Sequence, residues 1–423
     1  LFLNDIVQVI YSPKKAFKKI LAEPKYLGVI LIFILFVGLQ IGYEYAQFSK
    51  VQVETTSPAP GMMQENNNAT NWVSGDNVIL TNNFDDYYNN SVYVASFFAS
   101  YSLFGNNSLQ VEANDTDTVT LALSNTSNVD CTANGFQNLS LTMKLVEPQH
   151  VPSNAILTLY SINDNDFYTY DFTSALQNAN AVNQWGNLTI PLGPEADGWT
   201  ETGIPSWQNI TSLTLQLTYA DSQDITIHIG ALFFRGQYIH LLQDNLFDFL
   251  GTFTIEFTMQ FLVTWLVLTA IIWLILKGLK RPVTWKPIFV AAGFAMVVMV
   301  IRALVNLVVA TTLSPMYYPF DAAYGVVYNI FGALSYPPTV VLPVAESAAA
   351  INSITTSMTV FNAILTAMFI VSYVWLAALV AVVVKEAKPE FSTFKAIIVG
   401  GASVVATILI LLLLVVLRVI GFI

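Results

Sequence analysis

The sequence predicts an α-helical membrane bundle of five transmembrane helices carrying one all-β sandwich outside the cell, and three observations carry that prediction. The first is long apolar runs: 54% of the 423 residues are hydrophobic and 11% are charged, against about 25% charged in an ordinary soluble domain. The second is a split in charge. Residues 51–248 hold 20 of the 28 acidic residues and two bases, Lys144 and Arg235, a formal charge of −18, while the rest of the chain sums to +7. The third is a change of period. Apolar runs give way, inside the acidic segment alone, to strict alternation of apolar and polar residues, the pattern of strands that bury one face.

The elements follow in order. Residues 1–25 read as a cytoplasmic amphipathic interfacial segment. Phe2, Ile6, Val7 and Ile10 form one apolar stripe and Phe17, Ile20 and Leu21 another, while Lys14, Lys15, Lys18 and Lys19 are placed to contact an anionic inner leaflet. Ser12-Pro13 reads as a helix start, with Ser12 as cap and Pro13 in the first position, and Pro24 helps end that helix. A span of about 20 apolar residues crosses a bilayer, and five stretches qualify: 26–44, 253–276, 288–312, 358–384 and 396–420. The first apolar run lies behind the basic stretch with no small-residue cleavage site after it, so it reads as a span rather than a removed leader.

Alternating the five spans puts every basic cluster on one side: Lys14 to Lys25, Lys277 to Lys286, and Lys385 to Lys395. The positive-inside rule makes that side cytoplasmic. The N-terminus is then inside, and residues 44–250, 313–357 and the C-terminus are outside. Eight N-x-Ser/Thr sequons, at Asn68, Asn89, Asn106, Asn114, Asn125, Asn138, Asn187 and Asn209, all fall in the segment so placed, as N-linked glycans require.

Residues 45–76, rich in Ser, Pro, Asn and Thr, read as a stalk. The β sandwich is expected over 77–236. Its strands include Val119-Leu121-Leu123, Leu139-Leu141-Met143-Leu145, Leu213-Leu215-Leu217-Tyr219 and Ile225-Ile227-Ile229, about ten in all and without helices, separated by turns such as Asn163 to Asp166 and Pro191 to Gly198. A single cysteine, Cys131, leaves this domain without an intrachain disulfide, so its core must stabilise it. Residues 237–252 read as a return linker. The loop 313–357 is oddly apolar, with Tyr317, Tyr318, Phe320, Tyr324, Tyr328, Phe331 and Tyr336, and is expected to lie on the membrane, re-enter it, cover a neighbour or receive a protein partner.

Two stretches carry family resemblances. The run from Asn138 to Gly236, through Ala155 to Ser161, Trp185 to Leu192, Trp207 to Thr211, Ile225 to Gly236 and the apolar-aromatic Leu232-Phe233-Phe234, resembles the galactose-binding-like jelly roll of carbohydrate-binding modules. That resemblance implies a jelly-roll fold without assigning a ligand. The opening Tyr11 to Ile20, followed by Glu23-Pro24-Lys25 and an apolar span, resembles prokaryotic members of the Yip (Rab-interacting-protein) membrane family. The resemblance implies five transmembrane helices, a cytoplasmic N-terminus and an outer C-terminus. The chain departs from the family by inserting a β domain after the first helix, and its composition suggests an archaeal surface protein.

Candidate site residues are few. Trp185, Trp199 and Trp207 can stack on sugar rings or fill the core. Asp164, Asp166 and Asp171 can hold a structural calcium or simply make acidic turns. His228, on a polar strand face, is expected to be exposed. Within the spans, Arg302 is expected to pair with Glu256, with Asp321 and Glu346 as alternatives and Asn306 one turn away, either as a structural ion pair or as a polar pathway. No nucleophile motif, phosphate loop or metal-ligand cluster is present, and no cofactor or nucleic-acid partner is expected. The favoured reading is a non-enzymatic surface protein or accessory subunit of a membrane complex, presenting a glycan- or protein-binding module. A transporter or channel component built on Arg302 and a carboxylate-dependent glycan-acting enzyme stand as alternatives.

Overall fold

Ser12 occupies the position before the second helix, but its side chain makes no capping bond; Pro13, with no N–H to satisfy, opens that helix instead. The computed structural model describes residues 2–59, 62–88, 91–92, 101–102, 104–124, 126, 128–243, 246–279, 284–320 and 345–417. The chain divides into two compact units. One is helical, Leu1–Val51, His240–Met316 and Ser353–Ile423; the other is Gln52–Ile239 with Tyr317–Asn352.

In the helical unit, α1 (Phe2–Tyr11) and α2 (Pro13–Ala22) precede α3 (Leu27–Phe48), α5 (Leu246–Gly278), α6 (Trp285–Ala295), α7 (Val297–Thr311), α8 (Ala345–Ala387, in this unit from Ser353 onward) and α9 (Thr393–Val416). Among the described residues five stretches are long and apolar enough to cross a membrane: Leu27–Phe48, Leu246–Gly278, Trp285–Thr311, Asn352–Ala387 and Thr393–Val416. All five expected spans are thus helices, with shifted ends. Most of the expected return linker 237–252 is regular structure. Residues up to His240 continue a strand, and α5 begins at Leu246 because Phe249, Phe253, Phe257 and Phe261 carry a buried stripe at every fourth residue across Gly251. Phe48 closes against its start, 5.5 Å from Phe249 and 5.9 Å from Phe253.

On α2 the two faces separate as the pattern predicts. Ala16, Phe17 and Ile20 are buried, and Lys14, Lys15, Lys18 and Lys19 are exposed. Lys19 Nζ also reaches Asp5 Oδ1 of α1 at 2.6 Å. Leu3, Val7, Ile10 and Tyr11 leave an exposed apolar stripe on α1.

The second unit is built on an eleven-stranded sheet folded on itself. Its strands are β1 (Val51–Ser57), β2 (Trp72–Ser74), β3 (Val78–Asn83), β6 (Ser108–Leu123), β7 (Asn138–Glu147), β8 (Asn154–Tyr160), β9 (Phe167–Asp171), β10 (Gly186–Pro191), β11 (Trp199–Thr202), β12 (Ser212–His240) and β13 (Met316–Tyr318). A separate pair joins β4 (Ser91–Val92) to β5 (Tyr101–Ser102). The long strands β6 and β12 run through both arms of the fold. Register shifts between Thr218 and Ile225, and a left-handed Asp115 (φ 50°), break the ladder and turn both strands from one arm into the other.

One arm carries β2, β6, β12, β8, β9 and β11; the other carries β3, β6, β12, β7 and β10. Side chains from both arms meet in a single buried cluster. Leu121, Leu157 and Leu215 come from the first arm, and Val111, Leu141, Ile190 and Ile227 from the second. The unit is therefore a two-layer β sandwich. The alternating residues read from sequence are its inward faces, at 0–2% exposure from Leu139 to Leu145 and from Leu213 to Tyr219. One short helix, α4 (Thr173–Asn178), lies between β9 and β10, where none was expected.

Residues 51–76 are not a stalk. Val51 and Val53 alternate into β1, which pairs with β12 and β13, while Met63 and Trp72 are buried. The asparagines that made the segment look solvated bond backbone instead: Asn66 Nδ2 donates to Leu232 O at 2.9 Å and Asn67 Nδ2 to Phe104 O at 2.8 Å. The sandwich thus begins near residue 51 rather than 77, and it takes up part of the apolar loop. Met316 and Tyr318 are buried in β13, and Phe320 is fully buried against Phe104 and Phe233. This part of 313–357 covers a neighbouring surface of its own chain. From Ala345 onward the loop region is helix, and 321–344, with Asp321, Tyr324, Tyr328, Phe331 and Tyr336, lies outside the described residues.

Candidate functional site

The outward face of the β3–β6–β12–β7–β10 arm gathers the polar chemistry of the sandwich. The register fixes a row across four strands, Thr81 opposite Gln110, Gln110 opposite His228, and His228 opposite Lys144. The next row includes Gly230, Thr142 and Asn187. After β3 the chain turns sharply because Asn83 Oδ1 accepts from the N–H groups of both Asp85 and Asp86, at 2.9 Å each. That turn lays Asp86 on the sheet. Ser108 Oγ holds it there by donating to Asp86 O at 2.6 Å.

Asp86 is then the hub of the face. Its Oδ2 accepts from Lys144 Nζ at 2.6 Å and from His228 Nδ1 at 3.0 Å, and its Oδ1 accepts from Trp185 Nε1 at 3.3 Å. Burial draws the Asp86 carboxyl up, but the hydrogen bond and charge of Lys144, with the hydrogen bond of His228, outweigh it and hold the group below the usual carboxylate range. His228 is buried, at 6% exposure, not exposed as its polar strand suggested. Burial pushes its imidazole below the usual histidine value, against the upward pull of Asp86. A neutral imidazole facing an anionic carboxylate carries its proton on Nδ1, because the carboxylate only accepts. A second chain runs beside the hub, Asn83 Nδ2 to Gln110 Oε1 and Gln110 Nε2 to Glu112 Oε1.

Two aromatic rings border this polar floor. Trp185 lies over Gly230, where a Cβ would meet the indole at 3.5 Å. Tyr88 stands edge-on to Trp185, with centroids 6.1 Å apart, and its hydroxyl accepts from Asn187 Nδ2 at 3.4 Å. Both rings are half-buried. Beside them opens a cleft of about 60 Å³ whose lining includes Tyr88, Thr142, Asn187, Thr189, Phe233 and Phe320.

The three tryptophans singled out in the sequence therefore separate. Trp207 is 7% exposed, stacked on Tyr168 at 3.9 Å and edge-on to Trp199 at 5.2 Å, so it has no free face for a sugar. Trp199 is half-buried against Tyr168 and Tyr170 and donates to Pro191 O at 2.8 Å. Only Trp185 joins the polar face. The acidic turn residues do not converge. Asp166 accepts from Ile204 N at 2.7 Å and Asn163 Nδ2 at 3.1 Å, and Asp171 accepts from Thr173 N at 2.9 Å, so both serve as turn acceptors. Those bonds hold both carboxyls below their usual range. Among the described residues no group of three acidic, His or Cys side chains suits a metal, and Asp164, Asp166 and Asp171 form none.

Of the sequons, Asn106, Asn114 and Asn187 are exposed, and Asn68, Asn138 and Asn209 are half-buried; Asn89 and Asn125 lie outside the described residues. Asn187 lies on the polar face itself. In the helical unit no ion pair joins Arg302 to Glu256 among the described residues. The guanidinium instead lies over the rings of Phe369 and Tyr373, at 5.5 and 5.9 Å.

Sequence reasoning missed Asp86, Tyr88 and Lys144, and it missed the buried pair of Glu54 and Arg235, with Nε to Oε1 at 2.9 Å. A signal was present. Lys144 and Arg235 are the two bases of a segment with 20 acids, and each is held by a carboxylate.

Comparison of the sequence with protein-family models and with curated proteins finds no match. Among solved structures, the chain is similar to the family 11 carbohydrate-binding module of Clostridium thermocellum in complex with a β-1,3-1,4-mixed-linked tetrasaccharide, at 15% identity over 39% of this chain and 88% of that one, with a TM-score of 0.23. It is also similar to an exo-β-agarase, at 12% identity over 38% of this chain and 22% of that one, TM-score 0.26. A β-1,2-glucanase from Parabacteroides distasonis matches at 14% identity over 37% and 23%, TM-score 0.24. Likeness at this level carries no argument about ligand or activity.

Proposed function

We propose that the protein is a non-enzymatic, membrane-anchored surface protein that presents a glycan-binding β sandwich outside the cell. The observation that carries this reading is the outward sheet face where Trp185 and Tyr88 border Asp86, Lys144, His228 and Asn187. Sugars offer apolar C–H faces and rings of hydroxyls. A half-exposed aromatic pair beside fixed donors and acceptors matches both. The hub is preorganised, since Asp86 is locked by three donors and Trp185 by its own indole N–H, so little side-chain order remains to be lost on binding. The −18 charge of residues 51–248 disfavours sulfated or uronic polymers, and neutral glycans are the expected class.

The five apolar helices serve as the anchor, with the basic clusters and the lysine face of α2 on the cytoplasmic side and the sandwich and the C-terminus outside. Glycan-array binding by the full-length protein in detergent tests the reading. Binding of a neutral oligosaccharide without product release supports it. Release of shortened products would instead establish the carboxylate-dependent enzyme, and an array without any binding would remove the glycan assignment. Protease accessibility in sealed vesicles checks the orientation. The α1–α2 segment is expected to be cut from the inner side and the sandwich from the outer.

A further inference from the structure

We propose that the helical unit holds a buried site for a small monovalent anion, centred on Arg302. This site is independent of the glycan reading. Gly28 lies against the Phe294 ring and Gly42 against the Leu307 side chain, so α3 runs parallel to, and in step with, α6 and α7. That step puts Arg302 level with Phe36 and Val37, the middle of the 22-residue α3. Phe36 packs on Phe261 at 5.5 Å, which brings the neighbouring Gln260 of α5 to the same level. Gln40 and Asn306 follow one turn further along their helices.

Three helices thus contribute four polar side chains within about one helical turn, 5.4 Å, along an apolar bundle. Gln40, Gln260, Arg302 and Asn306 are 6, 8, 7 and 9% exposed. Each has a buried atom without a hydrogen-bond partner: Gln40 Oε1, Gln260 Oε1, Asn306 Oδ1 and Arg302 Nε. A single orphan is a local cost, but four within about one turn of the bundle describe a place that wants a guest. Arg302 makes the demand specific. Its guanidinium stays charged at any working pH, and among the described residues no carboxylate forms an ion pair with it. The rings of Phe369 and Tyr373 shield one side of the guanidinium, and the Tyr373 hydroxyl accepts a hydrogen bond from it; both neighbours are neutral, and cation–π attraction is small beside the desolvation of a buried charge.

A bound anion supplies the missing counter-charge. One guanidinium among neutral amides balances one negative charge, and a divalent ion would leave a charge uncompensated. Each amide can turn over to present its NH₂ where an oxygen now stands unpaired, so Gln40, Gln260 and Asn306 are able to donate to such a guest.

The test is thermal unfolding of the detergent-solubilised full chain, titrated with sodium chloride or sodium acetate against sodium gluconate at constant ionic strength. The melting temperature is expected to rise saturably with chloride, with acetate or with both; which of them acts separates a halide-sized from a carboxylate site. Arg302→Gln should abolish the rise, and Asn306→Leu and Gln260→Leu, which keep the cation, should move its midpoint to at least ten-fold higher anion concentration. Should Arg302→Gln fail to fold, the two amide variants decide. A wild-type protein unresponsive to chloride and acetate, equally responsive to gluconate, or matched in response by the amide variants overturns the proposal.

Discussion

Glu54 shows how much one residue can hold at the end of the sandwich. It is 2% exposed, and all its bonds are made: Oε1 accepts from Arg235 Nε and Gly236 N, both at 2.9 Å, and Oε2 accepts from Arg235 at 3.4 Å and from Phe320 N at 3.0 Å. It therefore ties β1, the end of β12 and residue 320 together. Removing one member of a buried pair strands the other charge, so Glu54→Ala should destabilise the sandwich by about 3–5 kcal/mol, read as a shift in urea midpoint; a shift worth under about 1 kcal/mol would contradict that role.

The Asp86–His228 hub makes a second prediction, through pH. Both groups have folded values depressed below their ordinary ones, so the unfolded chain takes up protons first as pH falls. The His228 contribution to stability is present above about 6.5 and is lost as pH falls from there through the lower folded value; the Asp86 contribution follows below about 3.9. His228→Gln should flatten the upper part of that acid limb. An equally steep loss in the variant between pH 6.5 and 5 would show that His228 is not its source. Little of this was legible in sequence at the residue scale. Three tryptophans look alike in a string of letters, and only the stacking of Tyr168 on Trp207 shows which one is core. His228 reads as exposed because its strand neighbours are polar, whereas Asp86, 142 positions away, covers it.

At the scale of elements, close helix contacts give a paired test. A Cβ at Gly400 would meet backbone atoms of α8, Ala381 N at 2.6 Å and Ala381 Cα at 2.8 Å, while a Cβ at Gly401 would meet nothing within 4 Å. Gly400→Val should therefore push α9 off α8 and cost about 1–3 kcal/mol or more, and Gly401→Val should leave the melting temperature of the detergent-solubilised protein nearly unchanged. Equal effects at the two positions would mean that α8 and α9 do not pack as described. Elements were also the most legible scale. Apolar length found five helices, and period two found the central strands, because both signals repeat over many residues. The exceptions have physical causes. The segment 51–76 reads as solvated because its asparagines bond backbone in the core, and α5 starts early because a phenylalanine stripe outlasts the unbroken apolar run.

At the scale of the whole molecule, the chain leaves the helical unit after α3, builds most of the sandwich, returns as α5, and contributes β13 and Phe320 to the sandwich after α7. An excised 77–236 piece would lose β1, β2, Met63 and Phe320, which is why binding belongs in the full chain. Asn187 adds a prediction here. It is an exposed sequon on the face that carries Tyr88 and Trp185, so a glycan attached there would occupy the ligand's place. If glycosylated protein binds more weakly than the same protein after enzymatic deglycosylation, and Asn187→Gln removes the difference, the face is confirmed as the shared site; equal binding by both forms would place the ligand elsewhere.

The most direct measurement is calorimetric titration of the full-length protein with the neutral oligosaccharide it binds best, comparing Trp185→Ala and Tyr88→Ala with Trp199→Ala. The account predicts at least a ten-fold loss of affinity for the first two and no change for the third. Unchanged binding in Trp185→Ala, or a loss confined to Trp199→Ala, would contradict it.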